Sequence, residues 1–115
     1  MTPRELIAVP SVGKGGKRSR VSDVFAKAPF FTFVKIEGGE MSDATVTANE
    51  AYGMTQGAGP IVMKNLKNRG VDVILAGDVG LGAKTLMEIS GIKHWKIEAG
   101  TRVSKAVSRY IESQA

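Results

Sequence analysis

Val71 to Ala76 (Val-Asp-Val-Ile-Leu-Ala) is an almost unbroken apolar, β-branched run. A run of that kind is buried on both faces, which points to an interior strand of a parallel sheet covered by helices. It then turns through Gly77, Gly80 and Gly82 and enters a helical pattern over 82–90, which buries Ala83, Leu86 and Met87 and stops at Gly91. A strand, a glycine loop and a helix start in succession make a candidate anion site. The loop N–H groups and the positive end of the helix dipole point the same way. The spacing excludes a nucleotide P-loop. Lysine should follow Gly82 directly, but Ala83 stands there, and Lys84 lies one residue late, turned by about 100° on a helix.

A buried parallel strand needs neighbours, and the rest of the chain supplies them. Residues 5–9 read as a first strand closed by Pro10, followed by a loop over 11–20 rich in glycine and basic residues. Ser22 is placed to cap a short helix over 23–27, ending before Pro29. Phe30 to Ile36 alternates Phe30, Thr32, Val34 and Ile36 against Phe31, Phe33 and Lys35, a second strand. Glu37-Gly38-Gly39-Glu40 is a hairpin turn into a third strand over 44–49. A second glycine loop, 50–59, leads to Pro60 in the first turn of a helix that ends at Gly70. After the 82–90 helix come a fifth strand, 92–97, and a last helix capped by Thr101. There Val103, Ala106, Val107, Tyr110 and Ile111 form one apolar stripe.

Strands three to four and four to five are joined by helices, so those crossovers are parallel and right-handed. The hairpin makes strand two antiparallel. The expected architecture is one α/β domain over residues 1–115: a three-layer, ribonuclease-H-like fold with a mixed five-stranded sheet of order 3-2-1-4-5. Strands one, three, four and five then end on one edge of the sheet. The loops leaving that edge hold ten of the chain's fourteen glycines, and the strand order reverses there, where open α/β sheets bind ligands.

Ile7-Ala8-Val9-Pro10-Ser11, the stretch from Val21 to Phe31, Gly57-Ala58-Gly59-Pro60, the stretch from Gly70 to Gly80 and Ala99-Gly100-Thr101 resemble the dinitrogenase iron–molybdenum cofactor biosynthesis family. The match runs in order over nearly the whole chain. The resemblance implies a ribonuclease-H-like domain. It also implies the binding or carrying of an iron–sulfur or iron–molybdenum cofactor precursor, with cluster-assembly proteins as partners, rather than catalysis. Gln56 stands where many members of that family carry a histidine.

Composition narrows the chemistry further. The chain has no cysteine, which excludes disulfides, thiolate metal sites and Cys nucleophiles, and its single histidine, His94, reads as structural. Strand one carries a carboxylate only at its start, Glu5, and none in its middle, so the two-metal nuclease chemistry of related folds is not expected. No apolar run approaches the roughly 20 residues that span a bilayer, and the apolar run at the start is too short for a signal-peptide core. A non-enzymatic cytoplasmic protein is expected.

The net charge of +5 favours an anionic ligand. The expected site holds it over the glycine-rich sheet edge. Lys14, Arg18 and Arg20 supply charge, and Gly57, Gly59, Gly80 and Gly82 allow close backbone approach. Gln56 offers hydrogen bonds, as does Tyr52, and Met54 offers a soft contact. Asp78 repels an anion unless a cation sits beside it. The alternative is a nucleic-acid-binding or regulatory interaction module that uses the basic loop 14–20, although aromatics that would stack on bases are absent nearby; the plainer reading of that loop is a solvated, mobile one.

Overall fold

The structure, a computed structural model, describes residues 4–114. Its elements are β1 (Glu5–Ser11), β2 (Phe30–Glu37), β3 (Glu40–Ala48), α1 (Ala58–Asn68), β4 (Val73–Ala76), α2 (Leu81–Ser90), β5 (Lys93–Lys96) and α3 (Val103–Ser113), with a 3₁₀ turn at Gly16–Arg18. The sheet order is β3-β2-β1-β4-β5. β2 is antiparallel to both neighbours, whereas β1–β4 and β4–β5 are parallel. The ribonuclease-H-like arrangement expected from the element order is therefore the observed one. No helix among the described residues is long and apolar enough to cross a membrane.

Alternation along the strands builds two cores. Ala8, Phe31, Phe33, Ile74 and Ala76 face α1 and α2, where Val62, Met63, Leu66, Ala83 and Met87 meet them. Ile7, Val9, Val34, Ile36, Val73 and Leu75 face α3, which returns Val103, Ala106, Val107 and Tyr110. The predicted stripe of the last helix is thus the inner layer of the second core. Gly38 and Gly39, at φ +63° and +80°, turn the β2–β3 hairpin, a conformation that favours glycine.

Local readings need correction at three places. Residues 23–27 form turns, not a helix. Five residues before Pro29 are too few to repay helix nucleation. Two other contacts hold the segment: Phe25 packs edge-on against Phe31 at 5.8 Å, and Asn49 Nδ2 donates to the carbonyls of Ala26 and Ala28, both at 2.8 Å. β1 does not stop at Pro10. It continues to Ser11, beyond its register with β4, and the Pro10 carbonyl accepts the Ser22 N–H at 2.8 Å. Thr101 does not cap α3; its carbonyl accepts the Val21 N–H at 2.8 Å, while the Val103 N–H at the helix start donates to Ser19 O at 2.8 Å.

Asp72, placed just before β4 in an otherwise apolar run, is explained by one bond. Its Oδ2 accepts the Leu6 N–H at 2.8 Å, while its own N–H donates to Leu6 O at 2.9 Å. It fastens the start of β4 to β1.

Candidate functional site

α1 and α2 lie side by side on one face of the sheet, and both begin at the edge where β1, β3, β4 and β5 end. Each is preceded by a glycine with positive φ: Gly57 at φ +78°, ψ 10° and Gly80 at φ +82°, ψ 156°. Neither N-terminus has a side-chain cap, and neither first turn carries an acid. The opening N–H groups of a helix have no partner within it. In α1 these belong to Ala58 and Gly59, since Pro60 has none. In α2 they belong to Leu81, Gly82 and Ala83, ahead of the Lys84 N–H that donates to Gly80 O at 3.1 Å.

The two helix starts share a Gly-x-Gly pattern. A Cβ at Gly59, Gly80 or Gly82 would meet nothing within 4 Å, and one at Gly57 only Met54 Cε at 3.9 Å. These glycines are therefore not packing devices. Gly57 and Gly80 are set by their φ, while Gly59 and Gly82 leave bare backbone facing outward. The combined partial charge of the two termini favours an anion.

Asp78, on the loop between β4 and α2, does not stand alone. Lys96 Nζ lies 3.2 Å from its Oδ1. Both side chains are exposed, so the pair contributes little to stability, but it sets a cation beside the acid. Gln56 is exposed next to the start of α1. Arg20 reaches across the same edge, and its Nη1 donates to Gly100 O at 2.8 Å.

The remaining basic residues lie elsewhere. Lys14, Lys17 and Arg18 line a cleft with Asp43, Ala44 and Val46 of β3. Ala44 and Val46 share the α3 face of the sheet with Val34 and Thr32, opposite to α1 and α2. Nor is residues 12–20 a loose loop. The Val12 N–H donates to Arg20 O at 3.1 Å, the Gly13 N–H to Ser19 Oγ at 3.1 Å, and Gly16 is buried against Ala44 and Val46. The structure thus gathers Gly57, Gly59, Gly80, Gly82, Gln56, Asp78 and Arg20 at one edge, and sets Lys14 and Arg18 along β3.

The sequence points to Tyr52 and Met54 at this edge, but not to the exposed apolar residues Leu81, Val12 and Val24. Tyr52 (64% exposed) and Leu81 (82%) rise from the loops that open α1 and α2, with Val12 and Val24 exposed on the neighbouring segments. Half-buried Met54 and Val79 lie between them and the core. Solvent-facing apolar residues in loops or at a helix start fall outside any periodic stripe, so nothing in the sequence pattern marks Leu81, Val12 or Val24. The edge therefore offers N–H donors with exposed apolar side chains on the same and adjoining segments, a setting suited to a bulky anion with weakly hydrated faces.

Direct metal ligation is a separate matter, and the donor set does not fit it. There is no cysteine. Among the described residues no group of three or more His, Cys, Asp or Glu side chains could hold a metal ion. His94 Nε2 lies 2.9 Å from Gly77 O and 3.1 Å from Ala76 O. Carbonyls only accept, so this nitrogen carries a proton and ties β5 to the β4–α2 loop.

The chain as a whole is similar to known proteins. Residues 5–113 match the family described as dinitrogenase iron-molybdenum cofactor. The apo form of the orange protein from Desulfovibrio gigas superposes with a TM-score of 0.82 at 29% identity, over 99% of this chain and 92% of that one. A candidate NifB protein from Thermotoga, TM1290, is 34% identical, with a TM-score of 0.76 over 96% and 90% of the two chains. The protein MJ0580 of Methanocaldococcus jannaschii is 25% identical over 84% of this chain and 80% of its own length.

Proposed function

The chain belongs to the dinitrogenase iron–molybdenum cofactor family, and we propose that it is a non-catalytic carrier that holds an anionic metal–sulfur cofactor or its precursor at the C-terminal sheet edge. One observation carries this reading: two uncapped, acid-free helix N-termini open on the same sheet edge, with Tyr52 and Leu81 exposed beside them in sequence. A metal–sulfur cluster of negative charge has both properties such an edge recognises, charge for the N–H groups and soft, poorly hydrated faces for Leu81, Tyr52 and Met54. The cargo is held by its outer atoms, because this chain lacks side chains to ligate its metals. Arg20 and Lys96 add positive charge at the same edge. Binding without metal–protein bonds suits handover to cluster-assembly proteins in the cytoplasm, since release breaks no such bond.

The test is anaerobic incubation of the protein with isolated iron–molybdenum cofactor, then gel filtration monitored in the visible. A visible band co-eluting with the protein is expected, weakening as salt is raised. Gly82→Asp sets a carboxylate among the α2 N–H groups. It suits a helix start, so the fold is retained, and it should abolish co-elution. Absence of a band with the wild-type protein, or an unchanged band with Gly82→Asp, would remove this reading.

A further inference from the structure

The sheet has two outer strands, and they are protected differently. β5 is four residues long with Lys93 and Lys96 at its ends, the short, lysine-guarded form that resists strand addition. β3 is nine residues long, and from Ala44 to Ala48 it reads Ala-Thr-Val-Thr-Ala, with no charge and no proline. By the same rule it is an open edge.

Cations flank this open edge on both faces. On the α1 face, Phe31, Phe33, Thr47, Val62, Leu66 and Arg69 line a groove of about 390 Å³. The Arg69 guanidinium lies 4.3 Å from the Phe33 ring centroid, and its Nη2 donates to Thr47 Oγ1 at 3.0 Å. No carboxylate among the described residues pairs with it. Glu50, also in the groove, is instead bonded by Asn65 Nδ2. On the α3 face, Lys14, Lys17 and Arg18 stand over Ala44 and Val46 in a shallower cleft of about 560 Å³, and these three cations also form no ion pair among the described residues. Asp43 is the one carboxylate lining that cleft.

We propose that β3 is a docking edge for an extended acidic segment of a partner protein, which adds to the sheet as a sixth strand. Main-chain bonds to β3 hold the segment, and its successive side chains fall alternately on the two faces. One acidic side chain then meets Arg69 and the next meets the Lys14–Arg18 cluster, while an apolar neighbour enters the groove over Phe31 and Phe33. A planar guanidinium already held over an aromatic ring is preorganised for a carboxylate. A second copy of this chain fits poorly, because pairing β3 with itself brings like cations together. This edge is separate from the helix starts described above, so it can work whether or not a cofactor is bound there.

The probe is a fluorescein-labelled peptide of the same length as β3, alternating valine and threonine around a central Glu-Glu pair. It should bind, and saturation should slow amide hydrogen exchange within residues 44–48. A Lys-Lys version, and a version N-methylated along one backbone edge, should each bind at least about tenfold more weakly. Arg69→Gln, and separately Lys14→Ala with Arg18→Ala, should each weaken binding about fivefold or more. The second variant alters exposed side chains only and keeps the test valid if the first perturbs packing on Phe33. Equal binding of the N-methylated or Lys-Lys peptide would overturn the proposal. So would protection mapping away from β3, equal protection by an oligonucleotide of matched charge, concentration-dependent self-pairing through β3, or no binding up to about 1 mM.

Discussion

Gly80 and Gly82 lie two residues apart at the start of α2 and answer to different constraints. Gly80, at φ +82° and ψ 156°, occupies a region that only glycine enters cheaply. Gly82 is helical, and a Cβ there would meet nothing within 4 Å. Gly80→Ala should therefore cost about 1–3 kcal/mol, whereas Gly82→Ala should leave stability unchanged or raise it by about 0.5–1 kcal/mol. Urea unfolding of both variants separates the cases. Equal losses would mean that Gly82 has a packing role the structure does not show. If the edge binds an anion, Gly82→Ala should also weaken that binding, since its methyl covers an open N–H group. The sequence showed glycines gathering at this edge, but not this division, because φ and free space are properties of the folded backbone. His94 could be read as structural from its lone position in a strand. That its proton ties down Gly77 depends on where β4 ends, which no residue pattern gives.

Segment 22–29 shows what was hidden at the scale of elements. Its composition suits a helix, and Ser22 does bond to the backbone two residues on, with the Val24 N–H at 3.2 Å from its Oγ. The competing partner is Asn49, distant in sequence, whose side chain bonds Ala26 O and Ala28 O and accepts the Ala51 N–H at 3.0 Å. Such long-range bonds override local propensity and leave no local signature. Asn49→Ala removes all three bonds, and the expected loss is about 2 kcal/mol, read as a lower urea midpoint with little change in slope. Faster hydrogen exchange should follow in residues 22–30. A change under about 0.5 kcal/mol would mean that water replaces Asn49 without cost. The strands and the three main helices, by contrast, were legible because their apolar periods are strong. Strand order was legible because hairpins and crossovers leave few topologies. The basic segment was misread as a free loop because glycine and lysine are what mobile loops contain. Here the same glycine permits Gly16 to pack against β3.

At the scale of the whole molecule, Tyr110 joins the last helix to the first strand at the sheet edge opposite the helix starts. Its hydroxyl donates to Glu5 Oε1 at 2.8 Å, its ring meets Trp95 edge-on at 5.7 Å, and Lys93 Nζ lies 5.2 Å from the ring centroid. Burial pushes the Tyr110 hydroxyl above its ordinary 10.0, and hydrogen bonding with Tyr110 raises Lys93 above 10.5. Both groups hold protons more tightly folded than unfolded. Their contribution is complete below the unfolded values and is lost as pH rises through the folded ones. Stability should be flat near neutrality and fall above about pH 10, as urea midpoints between about pH 8 and 11 will show. Tyr110→Phe should lower stability by about 1 kcal/mol at pH 8 and make the alkaline fall shallower. An unchanged fall in that variant would assign the effect to other groups.

The central position of β1 has a consequence for synthesis. On the ribosome β1 emerges before the other strands of the sheet, and the β2–β3 hairpin can pair with one of its edges soon afterwards. Its other edge waits for β4, because Ile7 meets Val73 and Ala8 meets Ile74. Until translation has passed that point, a nascent chain exposes an unpaired edge of a strand that will lie at the middle of its future core. Cellular holdases would be expected to engage the chain in that interval, and their grip should loosen once β4 has left the exit tunnel.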